Sequence, residues 1–381
     1  MKQTTGLNTA IRRRSLLALA VSGLAGCGGG GLGSGLLAAI PGTGGTGLFA
    51  QGTIIGFGSV IVNGIRFDDT AATVQIDGLA ASAQDLRLGM VADVQGLRGA
   101  DLTLGVANVI DVWSIAQGVV SQVQGGQFRV AGMLVQADAA TVFDGIGSVA
   151  ALANGLRVAV WGLQSGADGS RWTATRVAVV ATTSLVSTGI VSAAGTLNGF
   201  ALSGQKAVSL ASGQLVRVQG TLSSSGSSVQ VDSFKLLGSH SGSLPQGDVE
   251  IEGLVTAFLS GSRFMLGSVE VDASSASLAA SYKALSIGQR IEVEGNWQGR
   301  VLKAVMFGVE SEQQLDEVEI EAKIEQFTSL ANFVVRGQRC NASAAKISEG
   351  KVSDLKVGVK VKLHGIKAGD VLMVTELEMS D

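Results

Sequence analysis

Residues Gly155–Gly162 read Gly-Leu-Arg-Val-Ala-Val-Trp-Gly, and the same frame returns four more times. Written G-x-x-φ-x-φ-x-G, with φ Ala, Val, Ile or Leu, it also runs from Gly89 to Gly96, Gly213 to Gly220, Gly288 to Gly295 and Gly358 to Gly365. Its paired apolar positions are Ala92/Val94, Val158/Val160, Val216/Val218, Ile291/Val293 and Val361/Leu363. Alternation with a period of two belongs to a strand with one buried face. Glycine tolerates positive φ, so each closing glycine is expected where the strand turns. A fixed self-similarity of this kind makes a repeat protein the first reading.

A second signature, φ-x-φ-x-G-x-x-φ, precedes the first in each unit. It is Val60, Val62, Gly64 and Phe67 in unit one, and Phe128, Val130, Gly132 and Val135 in unit two. It is Phe200, Leu202, Gly204 and Ala207 in unit three, and Phe333, Val335, Gly337 and Cys340 in unit five. Unit four has Phe264, Leu266 and Val271 around Gly267-Ser268, with its glycine one place early. Asn63-Gly64 between alternating apolar residues is a strong hairpin signal, because both turn residues take positive φ. Units one to four also open on Gly52, Gly118, Gly189 and Gly253, each two places before Ile or Val, whereas unit five has Ala322 and Ile324. Each unit therefore holds five or six short strands. The units span 51–114, 117–182, 188–238, 249–310 and 318–380. With few helices to cover a sheet, each unit closes on itself or folds into two layers. The expected fold is all-β, five tandem small barrels of the OB-like or SH3-like kind.

The composition agrees. Of 381 residues, 46% are apolar and 15% charged, so disorder is excluded. Glycine occurs 54 times, yet without a three-residue period and with 2 Pro, which excludes collagen. Two Cys exclude a disulfide scaffold. No Glu precedes Glu250, and from Asp248 onward there are 20 acids against 14 bases. Units one to three are thus weakly charged and units four and five strongly charged, which suggests two segments with different neighbours.

The N-terminus reads as an address. Lys2, Arg12, Arg13 and Arg14 precede a short apolar run, Leu16 to Ala25. That run is too short to span a bilayer and suits a secretory signal. It ends in Leu24-Ala25-Gly26-Cys27, which resembles the bacterial lipobox. The resemblance implies a signal peptide over residues 1–26 and acylation of Cys27 as the first mature residue. Gly28 in place of Asp leans towards the outer membrane. Arg13-Arg14-Ser15-Leu16-Leu17 also fits a loose twin-arginine export motif. Residues 28–50 contain ten Gly and read as a flexible tether, making 27–50 the anchor and tether together. Without the leader, 24 Lys and Arg face 31 Asp and Glu, a net −7 that repels polyphosphates.

The opening Gly-x-Val, the Phe-x-Val-x-Gly hairpin and the late G-x-x-V-x-V-x-G resemble a family of proteobacterial lipoprotein domains known only as a domain of unknown function. The resemblance covers residues 51–380 and implies tandem small barrels behind a lipobox. It implies no catalytic residue.

No chemistry assembles in the sequence. The G-x-G-x-x-G matches at Gly28/Gly30/Gly33 and Gly42/Gly44/Gly47 neither follow a strand nor open a helix. His240 lies in a Gly-Ser linker, and His364 on an outward strand position equivalent to Trp161. With two His and one unmodified Cys, no metal site is expected. Cys340 aligns with core residues. The acid pairs Asp68-Asp69 and Asp316-Glu317 read as turns, and Asn341-Ala342-Ser343 as a fortuitous glycosylation sequon. Trp161 and Trp172, beside Arg171 and Arg176, are the best hint of a binding surface, with packing between units as the competing reading. The expected protein is a lipid-anchored envelope module, non-catalytic and without cofactor, that binds or spaces envelope proteins or glycans. The alternatives are an enzyme acting on wall polymers and an OB-type oligonucleotide binder. The net charge and the address oppose nucleic acid.

Overall fold

The computed structural model describes residues 47–237, 247–309 and 317–380. The leader, Cys27, residues 28–46 and His240 lie outside the described residues.

The first barrel contains β1 (Gly47–Phe57), β2 (Val60–Val62), β3 (Ile65–Asp68), β4 (Thr73–Ile76), β5 (Leu79–Ala81), β6 (Val91–Arg98) and β7 (Leu104–Val112). The second has β8 (Ala116–Gln124), β9 (Gln127–Val130), β10 (Met133–Gln136), β11 (Val142–Asp144), β12 (Arg157–Gln164) and β13 (Arg171–Val179). The third has β14 (Leu185–Ile190), β15 (Thr196–Leu197), β16 (Phe200–Ser203), β17 (Leu215–Leu222) and β18 (Ser228–Leu236). The fourth has β19 (Asp248–Phe258), β20 (Arg263–Leu266), β21 (Val269–Asp272), the short helix α1 (Ala279–Lys283), β22 (Arg290–Gln298) and β23 (Val301–Val309). The fifth has β24 (Glu317–Ser329), β25 (Asn332–Val335), β26 (Gln338–Asn341), β27 (Lys346–Glu349), β28 (Lys360–Ala368) and β29 (Val371–Met379). Among the described residues no helix is long and apolar enough to cross a membrane.

One circuit recurs. In the second barrel β8 pairs with β9 and β9 with β10, both antiparallel. Strand β10 then pairs parallel with β13, β13 with β12, and β12 returns to β8. This is the order of a five-stranded OB-type barrel, with a helical turn before its fourth strand. The first, fourth and fifth barrels close in the same way. The third lacks a ladder between β14 and β15, and Asn198 Nδ2 bridges that seam by donating to the Thr188 carbonyl at 2.9 Å.

The glycines of the repeat have roles different from those expected. The opening ones, Gly89, Gly155, Gly213, Gly288 and Gly358, take positive φ between 78° and 90°. The closing ones do not. Each sits at a register shift in the fourth strand, at Gly96, Gly162, Gly220, Gly295 and Gly365. A Cβ there would collide with the carbonyl oxygen of Val106, Thr173, Gln230, Lys303 or Met373 on the facing strand. The closing glycine therefore makes room at a β-bulge that bends the strand around the barrel.

The hairpin signature holds in units one, two and five, where Asn63-Gly64, Ala131-Gly132 and Arg336-Gly337 all have positive φ. In unit four Gly267 alone is positive, so the turn changes type and its glycine moves one place forward. Unit three departs from the expected alignment. Its turn is Asn198-Gly199, so Phe200, Leu202 and Gly204 belong to the following strand and its end. Cross-strand core pairs keep their size, as Phe128 faces Val135, Phe264 faces Val271 and Phe333 faces Cys340, while Val60 faces Phe67 in reverse order.

The barrels do not hang like beads. The first half of β1 pairs parallel with β19, and its end pairs parallel with β24. Residues 47–50 are thus strand rather than tether, with Leu48, Phe49 and Ala50 buried. One apolar core is shared by barrels one and five with part of two, and another by barrels two and three. The Glu-rich segments dock on the first barrel. Arg98 pairs with Glu250 and Glu294, Arg66 with Glu319 at 3.0 Å, and Glu252 accepts from Thr53 N at 2.5 Å. Glutamates that the composition reads as a separate charged segment are partners for arginines of unit one.

Candidate functional site

The expected binding surface is mostly enclosed. Trp161 does point out of its own barrel, but barrel one covers it and leaves 5% of it exposed. Arg176, 4% exposed, lies against it, its guanidinium carbon 6.0 Å from the ring centroid. Arg176 also pairs with Asp144 and donates to the Leu88 carbonyl at 3.0 Å, so it joins barrels one and two. Burial lowers its pKa to about 10. Trp172 is 6% exposed and donates to the Gly169 carbonyl at 3.1 Å. Of the four residues, only Arg171 is exposed.

The cleft that the structure offers lies elsewhere, where barrels one to four meet. It encloses about 730 Å³, within the range of small-ligand sites. Trp172 reaches its wall, along with residues that the sequence did not single out. Its floor is the outward face of β1, β6 and β7, where Gln51, Asp93 and Asp111 stand in one registered row. Gln51 donates to Asp93 Oδ1 at 2.6 Å, and Lys235 Nζ lies 3.3 Å from Asp93 Oδ2. Asp111 directly faces Asp93 across the ladder and has no hydrogen-bond donor among the described residues. Burial raises its pKa, Lys235 opposes the rise and Asp93 adds to it.

Trp113 stands at the joint between barrels one and two. Lys235 Nζ is 4.3 Å and the Arg217 guanidinium carbon 5.0 Å from its ring centroid. Arg217 and Lys235 face each other across β17 and β18. Arg217 also donates to Asp77 at 2.6 Å and to the Ser114 carbonyl at 2.6 Å. Burial lowers its pKa. On the other walls, Gln164 of β12 is 7% exposed and donates from Nε2 to the Gly166 carbonyl at 2.8 Å, while its Oε1 accepts nothing from the described residues. Glu252 is held by Arg290 and Thr53.

Most charges in the cleft therefore serve docking: Asp93, Arg217 and Glu252 each have a fixed partner. Among the described residues, acceptors remain over at Asp111 and Gln164, and the enclosed Trp113 indole N–H has no acceptor. Sequence patterns hold one faint signal for this site. Asp93 occupies the outward position between Ala92 and Val94 in the repeat frame, where other units have Ala159, Arg217, Glu292 and Lys362.

The outward pairs on the second and third strands, the usual ligand face of OB barrels, carry no ring. They are Ile61/Arg66, Leu134/Arg129, Thr196/Ala201, Met265/Glu270 and Val334/Arg339. Cys340 is buried in its core, its thiol pushed up to about 12 by burial. Asp68 and Asn341 accept from the backbone two residues on, as turn residues do. His364 lies half-buried between Glu319 and Glu376 on the neighbouring strands.

Two segments, residues 117–178 and 252–305, match the sequence model of a family described as a domain of unknown function (DUF5666). They fall on the second and fourth barrels. No curated protein matches the chain.

Proposed function

We propose that this protein is a non-catalytic binding or scaffold module of the bacterial cell envelope, anchored by lipid at Cys27, facing the periplasm from the outer membrane and seating an envelope glycan or protein in the four-barrel cleft. The observation that carries the reading is the cleft itself. It is large enough for a ligand, it is built from four barrels, and its floor presents an acceptor left over after the barrels have docked. The lipobox and glycine tether support the location. Catalysis needs an acid and base matched in position and pKa. In this cleft Asp93 is tied to Gln51 and Lys235, and Arg217 to Asp77, which leaves Asp111 without such a partner. Oligonucleotides need a basic groove with rings for stacking. The ring-free OB faces and the net −7 favour glycan or protein instead.

The test is capture from detergent-solubilised envelope with the full chain as bait, against a variant whose cleft is filled by Asp111→Trp. Glycan or protein recovered with the native chain and lost with the filled variant, at equal folding by circular dichroism, supports the reading. Equal recovery with both would overturn the cleft as the seat. A Cys27→Ser chain that stays in the membrane fraction would overturn the anchor.

A further inference from the structure

Resting on the cleft as binding seat, we infer that its ligand is a small organic ammonium ion, received by the Asp111 carboxylate on the floor, with Gln164 Oε1 of barrel two as a second acceptor in the same cavity. The argument is one of satisfied and unsatisfied groups. Asp93 and Asp111 face each other on adjacent strands, where like charges repel. Among the described residues one cation stands over them, Lys235, and it is already placed on Asp93 Oδ2 and on the Trp113 face. The second cation of the same wall, Arg217, is held by Asp77. Glu252, on a third wall, is held by Arg290. One negative charge is therefore left over, on a carboxylate that is half-buried and receives no hydrogen bond from the described residues. Withdrawing a carboxylate from water without a partner is unfavourable.

Gln164 is an independent witness. It is more than nine-tenths buried, it lines the same cavity from barrel two, and its carbonyl oxygen accepts no hydrogen bond from the described residues while its amide is fixed on Gly166. The Trp113 indole N–H also has no partner but is wholly enclosed, so the groups open to a ligand are two acceptors, one of them charged, and these ask for a ligand that donates and is positive. The apolar stretches of wall, Phe49, Val91, Phe234 and Leu254, suit a carbon body between donors. A protonated amine on a sugar or on an alkyl chain has that chemistry, and the ring face of Trp113 is taken by Lys235 and Arg217. The ammonium, rather than ring stacking, then provides recognition.

Isothermal titration of the full chain in detergent with glucosamine, putrescine, glucose and N-acetylglucosamine separates the cases. We expect at least one of the two amines to bind and both neutral sugars to fail. Glucosamine stronger than putrescine identifies an amino sugar as the source, and the reverse a linear amine. Asp111→Asn should weaken the amine at least tenfold while its melting temperature holds or rises, because the Asp93 repulsion is relieved. Gln164→Leu should weaken it several-fold. The inference fails if the neutral sugars bind as well as the amines, if neither amine binds, or if Asp111→Asn binds unchanged. Envelope capture that survives while no amine binds would sink this inference alone. Loss of both would sink the cleft as well.

Discussion

Arg217 holds Trp113 from one side: its guanidinium carbon lies 5.0 Å from the ring centroid while its Nη2 donates to Asp77 at 2.6 Å. One side chain of barrel three thus grips the joint between barrels one and two. Breaking a buried ion pair from one side leaves the other charge uncompensated, at about 3 kcal/mol. Arg217→Ala should lower the denaturant midpoint accordingly. Arg217→Lys should rescue little, because an ammonium cannot reproduce the planar fork. A double-mutant cycle with Asp77→Asn should show coupling of about 1 kcal/mol or more. Additive effects would mean that the pair does not act as a unit.

The two glycines of one frame should respond unequally. Gly213 has φ of 83° and open space around it, so Gly213→Ala meets backbone strain alone, about 1 kcal/mol. Gly220 lies under the Gln230 carbonyl, and a methyl group there must push the bulge apart. We expect Gly220→Ala to cost about 2 kcal/mol or more. Urea melts of both variants check the order. The reverse ranking would contradict the bulge role.

The Cys340 thiol is enclosed, and its pKa is pushed up to about 12. Thiolate is the reactive form. A disulfide reagent at pH 7 should label the native chain only at the rate of local or global opening, and at once in denaturant. Fast native labelling would contradict its place in the fifth core.

Acid should act through Asp272. Hydrogen bonds from Ser274, together with Lys303, hold its carboxyl down at about 2, against 3.8 unperturbed. The folded pKa is below the unfolded one, so the contribution is complete above pH 3.8 and disappears as pH falls towards 2. Asp272→Asn should be less stable than the native chain at pH 6, and the difference should close below about pH 2. Glu250 has the opposite sign. Burial raises its pKa, so its ionisation weakens the folded state as pH climbs above 4.5. Glu250→Gln should reduce that slope, as denaturant melts from pH 4 to 8 would reveal.

Trp161 is a packing residue, so its loss should damage stability and spare capture. Trp161→Ala should cost about 3 kcal/mol, read by thermal melting, with ligand recovery unchanged below the melting range. Weakened capture at unchanged stability would restore it as a contact.

What the chain writes locally is legible. The period-two alternation, the recurrent phenylalanines and Asn63-Gly64 specify strands and hairpins, because side chains alternate across a strand and only some residues accept positive φ. Five units and an all-β fold follow from those patterns. Where two sequence features look alike, only the ladder tells them apart. Gly213 and Gly220 sit in the same frame, but one supplies a left-handed turn and the other makes room for a carbonyl of the facing strand. Phe200 resembles Phe128 in spacing, yet it follows its hairpin rather than preceding it.

The arrangement of the barrels, and therefore the cleft, was decided by the tertiary structure. Arg98 finds Glu250 across 152 residues of chain, and Lys235 finds Asp93 across 142. A period-two pattern states which face of a strand is buried inside its own barrel, and it is silent on what covers the other face. That is why Trp161 is outward in the repeat and enclosed in the fold. It is also why Asp111, one polar residue among many in the sequence, becomes a half-buried cleft carboxylate with no hydrogen-bond donor among the described residues only when three other barrels close around it.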